Sequence, residues 1–243
     1  MKKIFLVFVL FTLSCDNEPV NVDVLISSGT IHDGSGTKGY IGNVAIKNDT
    51  IFYVGKKNNF LANQTIDATG KVVSPGFINM LSWGYNTLMQ DGRSLSDLKQ
   101  GVTLEVFGEG TSPGPRGSIK NNNYVSFGEA MEKLESSGVS TNIASYLGSA
   151  TVRIQEIGFA NRKATSEEMN SMKNIVRIAM EEGAMGIGSS LIYAPGDYAD
   201  TDELVELSKI ASSYGGSSYI RSFHTVYPCF CSTFLNPCWN YSC

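Results

Sequence analysis

Between residues 75 and 221 the sequence alternates short apolar stretches with amphipathic helical stretches, joined by short loops. Ser126 with Glu129, and Thr165 with Glu168, have the spacing of a capping box and mark the starts of two of the helices. The apolar stretches predict strands near 77–82, 102–107, 140–147, 184–190 and 217–222. Strands that alternate with helices over short loops run parallel and are covered by the helices. We therefore predict the α/β class, as part of a (β/α) barrel or as a doubly wound sheet.

The segment before this alternation has a different pattern. Residues 16–75 contain β-branched and alternating apolar stretches, each bounded by Gly, Asn or Asp. Such stretches are typical of short strands and turns, and the "KND" at residues 47–49 has the composition of a hairpin turn. We predict a small β domain over 16–75, followed by the α/β segment over 76–222.

The amino terminus predicts export. Two lysines precede an apolar run from Ile4 to Phe11, and a small residue precedes Cys15, which is the layout of a secretory signal. The run is too short for a permanent membrane helix. Since Ser14-Cys15 resembles the lipobox of bacterial lipoproteins, we predict a lipoprotein signal over 1–15 and lipidation of Cys15. An ordinary cleaved signal is the alternative. Both place the chain outside the cytoplasm, in the periplasm or at the outer membrane of a bacterium, with membrane contact only through a lipid anchor.

The charge of the chain argues against nucleic acid as a partner, and its cysteines argue against a structural zinc site. The formal net charge is -4 and no charge runs occur, so the chain offers no basic face for phosphates and nucleic acid is not a predicted partner. Apart from Cys15, the cysteines are Cys229, Cys231, Cys238 and Cys243. An even count in an exported chain permits disulfides, but Cys-x-Cys is not the Cys-x-x-Cys knuckle of structural zinc sites.

Several stretches carry a family resemblance. "GKVVSPGFIN", "KQGVTLEVFGEG", "LGSATVR" and the long stretch from "ATSEEMNSMK" to "ASSYGG" resemble the N-acyl-D-amino-acid deacylases, or D-aminoacylases, of the amidohydrolase superfamily. The similarity runs from about Val24 to Gly216. It implies an incomplete (β/α) TIM-type barrel, about the first four to five units, after a small β domain. It also implies hydrolysis of the amide of N-acyl-D-amino acids, with zinc supplying hydroxide and an acidic residue acting as general base.

The zinc ligands of that family are not conserved in this chain. The family's first barrel strand ends in Asp-x-His-x-His, and these positions fall on Asn79, Leu81 and Trp83. The cysteine ligand after its second strand falls on Gly110. None of these four residues is a zinc ligand of the family type.

Two carboxylates near the second strand are the remaining metal candidates. Glu109 lies at the strand's carboxyl end, and Glu105 lies inside the strand. For Glu109 we favour a solvated loop position or a cap. The chain has two histidines, His32 and His224, so the family's ligand set is incomplete. We expect that the chain binds no zinc and is inactive as given.

Substrate-contacting positions of the family are better preserved. "GSSLIYAPG" matches a segment that helps to form the family's substrate pocket, so Ser189, Ser190 and Tyr193 are candidates for contacting a small N-acyl amino acid. Ordinary loop hydrogen bonding explains these residues equally well.

The resemblance stops shortly before the carboxyl terminus. Beyond Arg221 the sequence contains no acidic residues and follows neither helical nor strand periodicity. We hypothesise a disrupted gene and an aberrant, disordered tail over 223–243. Because the changes at Leu81 and Trp83 precede this tail, a non-catalytic exported lipoprotein or binding module derived from the family is the alternative to a truncated hydrolase.

Overall fold

The computed structural model describes residues 18–118 and 121–221. The chain divides into two compact units, one up to Pro75 and one from Gly76 onward. The predicted signal sequence with Cys15, and the predicted tail over 223–243, lie outside the described residues.

The first unit is built on one five-stranded sheet. Its strands are β1 (Val20–Ile31), β2 (Tyr40–Lys47), β3 (Thr50–Gly55), β4 (Phe60–Asp67) and β5 (Val72–Val73). The order is β3-β2-β1-β4, and β5 also pairs with β1. The predicted hairpin turn is confirmed, because β2 and β3 are antiparallel neighbours and Asn48 takes the left-handed conformation (φ 53°) that asparagine tolerates.

The second unit contains only parallel strand pairs among its described strands. They are β6 (Phe77–Asn79), β7 (Val102–Phe107), β8 (Asn142–Ser145), β9 (Leu147–Gly148), β10 (Gly186–Ser190) and β11 (Ser217–Arg221). The sheets have the orders β6-β7-β8 and β9-β10-β11. The predicted α/β class is confirmed, and parallel strands that pair in chain order with helices between them are consistent with part of a barrel.

The strand predicted near 140–147 takes part in both sheets. β8 and β9 are separated by Tyr146 alone. The Tyr146 amide donates to the Phe107 carbonyl of β7 (2.9 Å), whereas the Met185 amide, just before β10, donates to the Ser145 carbonyl (3.0 Å). One continuous stretch of chain therefore joins the two halves of the unit.

The strand predicted over 77–82 is too long. β6 ends at Asn79, whose side-chain Oδ1 accepts a hydrogen bond from the Leu81 amide (3.1 Å). Asparagine favours such local side-chain to backbone bonds, which compete with the sheet ladder. Leu81 and Trp83 consequently lie in the loop after the strand.

Two of the six helices that the structure describes begin where their capping boxes predict. The six are α1 (Tyr85–Leu88), α2 (Leu95–Leu98), α3 (Phe127–Ser136), α4 (Ser149–Glu156), α5 (Ser166–Glu181) and α6 (Thr201–Ser213), with a short 3-10 turn at Gly196–Tyr198. Both predicted capping boxes are present, at the starts of α3 and α5. No helix within the described ranges combines the length and the apolar character needed to cross a membrane.

The main core of the second unit lies between the helices and the β9–β10 strands. Met172 and Val176 of α5 are fully buried there with Leu147, Ile187 and Leu207. The methionine-containing face of α5 is thus core packing, as its spacing indicates. One ion pair is buried close by, between Arg153 of α4 and Glu203 of α6 (2.5 Å).

Candidate functional site

A cavity of about 300 Å³ lies in the second unit where β6 and β7 end. Parallel α/β folds place their binding sites at the carboxyl ends of strands. We call it the β6–β7 cavity. Its walls come from the loop after β6, the loop after β7 and the first turns of α4, and its lining residues are Ser82, Trp83, Tyr85, Asn86, Phe107, Glu109, Thr111, Ser112, Pro113, Pro115, Arg116, Thr151, Ile154 and Gln155.

Glu109 is buried in this lining, with 7% of its surface exposed. Our expectation of a solvated loop position was wrong. Gly108 and Gly110 on either side have positive φ values of 96° and 77°, a conformation that glycine adopts without strain. The tight bend that they form keeps the carboxylate within the cavity wall.

Glu105 is 2% exposed and accepts hydrogen bonds from three hydroxyl groups. Its Oε2 accepts from Ser82 Oγ (2.7 Å), and its Oε1 accepts from Ser94 Oγ (2.5 Å) and Thr141 Oγ1 (2.9 Å). The three donors come from the β6 loop, the start of α2 and the start of β8. Because the three donors lie in different segments, Glu105 links these segments to β7. It also lines a second cavity, of about 440 Å³, beside α1 and α2.

The residues at the strand ends do not fit a zinc site of the family type. Leu81 and Trp83 carry no metal-binding atom and are 38% and 57% exposed. The Asn79 amide nitrogen donates to Asp97 (3.0 Å). Gly110 supplies no side chain. Within residues 18–118 and 121–221, no group of three or more His, Cys, Asp or Glu side chains is arranged to hold a metal ion.

The predicted substrate-contacting residues are not brought together in the β6–β7 cavity. Ser189 and Ser190, in the last positions of β10, are buried at 2% and 3% exposure, whereas Tyr193 is 62% exposed. Ser190 faces Gly110 so closely that a Cβ at position 110 would lie 2.9 Å from the Ser190 Cβ. The Ser190 hydroxyl has no hydrogen-bond partner among the described residues. None of the three residues is in the cavity lining.

Arg116 is a cavity residue that the sequence reasoning missed. Its guanidinium lies over the Tyr85 ring, 5.2 Å from the ring centroid, and its Nη2 donates to the Tyr85 hydroxyl (3.1 Å). The Tyr85 hydroxyl in turn donates to the Ala130 carbonyl of α3 (3.3 Å). The available signal was the Gly- and Pro-rich stretch "EGTSPGPRG" directly after a strand, since such loops often carry binding residues.

The loop that carries Arg116 is fastened to α4. The Ser112 amide donates to Thr151 Oγ1 (2.8 Å), and Ser112 Oγ accepts from the Gly148 amide (3.0 Å) while donating to the Gly114 carbonyl (2.6 Å). The cavity therefore presents a guanidinium, a carboxylate and aromatic surface on a fixed frame. A few polar groups in a mostly apolar wall are typical of small-molecule sites.

Known proteins share this fold and part of this sequence. A D-aminoacylase of Alcaligenes xylosoxydans xylosoxydans is 28% identical over 214 residues, which is 83% of this chain and 44% of the relative. A crystal structure of a D-aminoacylase, described as defining a subset of the amidohydrolases, matches with a TM-score of 0.72 and 28% identity over 81% of this chain and 44% of that chain. The chain thus spans less than half the length of these relatives.

One further solved structure supports the fold and shows metal use in a relative. N-acyl-D-glutamate deacylase of Bordetella bronchiseptica, solved with zinc and a phosphonate that mimics the tetrahedral intermediate, matches with a TM-score of 0.74 and 24% identity. The match covers 82% of this chain and 45% of that chain. A search of protein-family models gave no match.

Proposed function

We propose that this chain, a homologue of the D-aminoacylase-type amidohydrolases, keeps their barrel strands and a ligand cavity but does not hydrolyse N-acyl-D-amino acids as it stands. The chain is then a binding protein derived from a hydrolase family. Its ligands belong to the substrate class of the relatives, small N-acylated amino acids.

The main support for the proposal is the set of residues that follow strands β6 and β7. Leu81, Trp83 and Gly110 occupy the positions at which the family resemblance places two histidines and a cysteine. The nearby Glu105 accepts three hydrogen bonds from hydroxyl groups of three different segments, which accounts for its burial. A hydrolytic zinc site draws on three protein ligands with an open position for water, and these residues do not supply such a set.

The test combines metal content with turnover. The full chain would be incubated with zinc, passed through a desalting column and analysed by mass spectrometry for bound metal, then assayed with N-acetyl-D-glutamate and N-acetyl-D-leucine. We expect far less than one zinc per chain and no release of free amino acid above the rate without protein. Stoichiometric zinc together with turnover would overturn the proposal.

A second candidate function is hydrolysis with an atypical ligand set. The observation in its favour is the buried Glu109 carboxylate, which lies at the end of β7 and in the cavity wall. If zinc binds stoichiometrically to the full chain and is lost in Glu109→Gln but not in the exposed-site variant Glu132→Gln, this candidate replaces the first.

We also propose that the chain is an exported lipoprotein with the lipid on Cys15. The support is the lysine-apolar-Ser-Cys pattern of residues 1–15. Expression in a bacterial host with labelled palmitate should label the full chain and not the Cys15→Ser variant. Equal labelling of both chains, or labelling of neither, would refute the lipid anchor.

A further inference from the structure

We propose that the β6–β7 cavity binds the carboxylate of a small organic monoanion, with Arg116 as the anchor and Trp83 as a stacking surface. The inference deepens the proposed function, and rests on it for the choice of ligand class. In this proposal the side chains of Arg116 and Trp83 bind the ligand without a metal ion.

The charge of Arg116 is available to a ligand. The guanidinium has five N–H donors, and its hydrogen bond within the described residues goes to the hydroxyl of Tyr85, a neutral partner. The cation-π contact with the Tyr85 ring likewise leaves the planar fork intact. Guanidinium groups bind carboxylates through two parallel hydrogen bonds, a geometry that a lysine does not reproduce.

The anchor is held in place before any ligand binds. The backbone of Arg116 exchanges two hydrogen bonds with Val125 (3.0 and 2.9 Å). Tyr85, which is 8% exposed, positions the guanidinium and is itself bonded to the Ala130 carbonyl. A binding group that is already ordered loses less conformational entropy when the ligand arrives, so more of the contact energy appears as affinity.

The cavity also offers an apolar wall for the remainder of the ligand. Phe107 is buried beneath it, while Trp83 lines it with 57% of its own surface exposed. A large exposed aromatic side chain at the rim of a cavity is well suited to stack on an apolar ligand group. The family resemblance places a histidine ligand at the position of Trp83. This chain therefore has an aromatic side chain where the family has a metal ligand.

The guanidinium and the aromatic wall favour a ligand with one carboxylate and one apolar group. An N-acyl amino acid with an apolar side chain has both. These two features match Arg116 and the wall that Phe107 and Trp83 form.

Binding would be measured by quenching of Trp83 fluorescence in the full chain carrying Trp239→Phe, since the sequence contains two tryptophans. The probes are N-acetyl-D-phenylalanine and its neutral amide, N-acetyl-D-phenylalaninamide. We expect saturable quenching by the acid and at least tenfold weaker binding of the amide. Arg116→Gln should weaken binding of the acid at least tenfold, and Arg116→Lys should give an intermediate value.

Arg177→Gln is the matched control, because it removes the same charge from an exposed arginine that pairs with Glu181 on α5. Its affinity should stay within twofold of the parent chain. Absence of saturable binding, equal binding of acid and amide, or an unchanged affinity in Arg116→Gln would overturn the proposal. The comparison of acid and amide needs no Arg116 variant, so it decides the matter even if Arg116→Gln fails to fold.

The outcomes separate this inference from the proposed function. Saturable acid-selective binding without turnover supports both. Equal binding of acid and amide without turnover removes the anion site and leaves the proposed binding function intact. No binding and no turnover removes both the anion site and the proposed binding function, and leaves only the proposed lack of hydrolysis. Zinc-dependent turnover overturns the proposed function, while the ratio of acid to amide binding still tests the role of Arg116.

Discussion

Replacing Glu105 with alanine tests how the β6 and β7 ends are held together. The carboxylate is buried in β7 and receives hydroxyl groups from Ser82, Ser94 and Thr141. Glu105→Ala removes the acceptor of all three. Glu105→Gln keeps the size and shape of the side chain and one acceptor oxygen. Its amide NH2 group replaces the other oxygen and faces at least one of the hydroxyl groups.

The expected cost follows from the burial of the three donors, which are 9%, 8% and 6% exposed. A buried donor left without a partner costs about 1 to 3 kcal/mol, and water entering the space left by the side chain recovers part of that loss. Taking about 1 kcal/mol for each hydroxyl gives about 3 kcal/mol for Glu105→Ala. A hydroxyl can rotate to accept from the glutamine amide, so Glu105→Gln should cost about 1 kcal/mol.

Urea unfolding followed by Trp83 fluorescence in the Trp239→Phe chain measures both losses. Glu132→Ala, an exposed glutamate of α3, is the control and should change the free energy of unfolding by less than about 0.5 kcal/mol. Equal stability of Glu105→Ala and the control would refute the hydroxyl network. A metal-binding role would instead make chelator destabilise the parent chain and leave Glu105→Ala unaffected.

Three further predictions concern other parts of the second unit. Glu203→Leu leaves the buried Arg153 charge unpaired and should lower the free energy of unfolding by about 3 to 5 kcal/mol, measured with urea. The double variant with Arg153→Met should recover most of this loss. An equal loss in the single and double variants would contradict the pairing. Hydrogen bonding from Arg162 lowers the pKa of Glu168 to about 2 from an ordinary 4.5, so the stability that this carboxylate adds is present above pH 4.5 and is lost as the pH falls through 2. The difference in urea midpoint between the parent chain and Glu168→Gln should therefore shrink between pH 5 and pH 2, and a constant difference would refute the assignment. Gly110→Cys puts a side chain at a position with a left-handed backbone and a close neighbour, Ser190, and should lower the free energy of unfolding by about 2 kcal/mol. A variant as stable as the parent chain in urea would contradict this expectation.

The sequence predicts the second unit well where local signals agree with packing. The capping residues at 126 and 165 locate two helix starts to the residue, because the same side chains satisfy the amide groups that a helix start leaves free. The apolar spacing of α5 likewise identifies its buried face. The end of β6 was missed because the Asn79 side chain turns the chain locally, and apolar residues continue beyond the turn.

The site was less accessible to sequence reasoning, because its residues depend on contacts between distant segments. Glu109 lies in an ordinary-looking loop sequence, and its burial follows from backbone bends at two glycines. The position of Arg116 depends on Tyr85, 31 residues away along the chain, and no periodicity links the two residues. The assignment of Leu81 and Trp83 to the histidine positions of the family stays a prediction from the resemblance, since it concerns residue types and not geometry.

The stretch that contains β8, Tyr146 and β9 has a kinetic consequence. Its first part pairs with β7 and its second part pairs with β10, so neither three-stranded sheet can be completed until this stretch is in register. Folding of the two sheets should therefore be coupled through the stretch centred on Tyr146. Destabilising substitutions there are expected to slow folding, whereas substitutions at the outer strands β6 and β11 are expected mainly to speed unfolding.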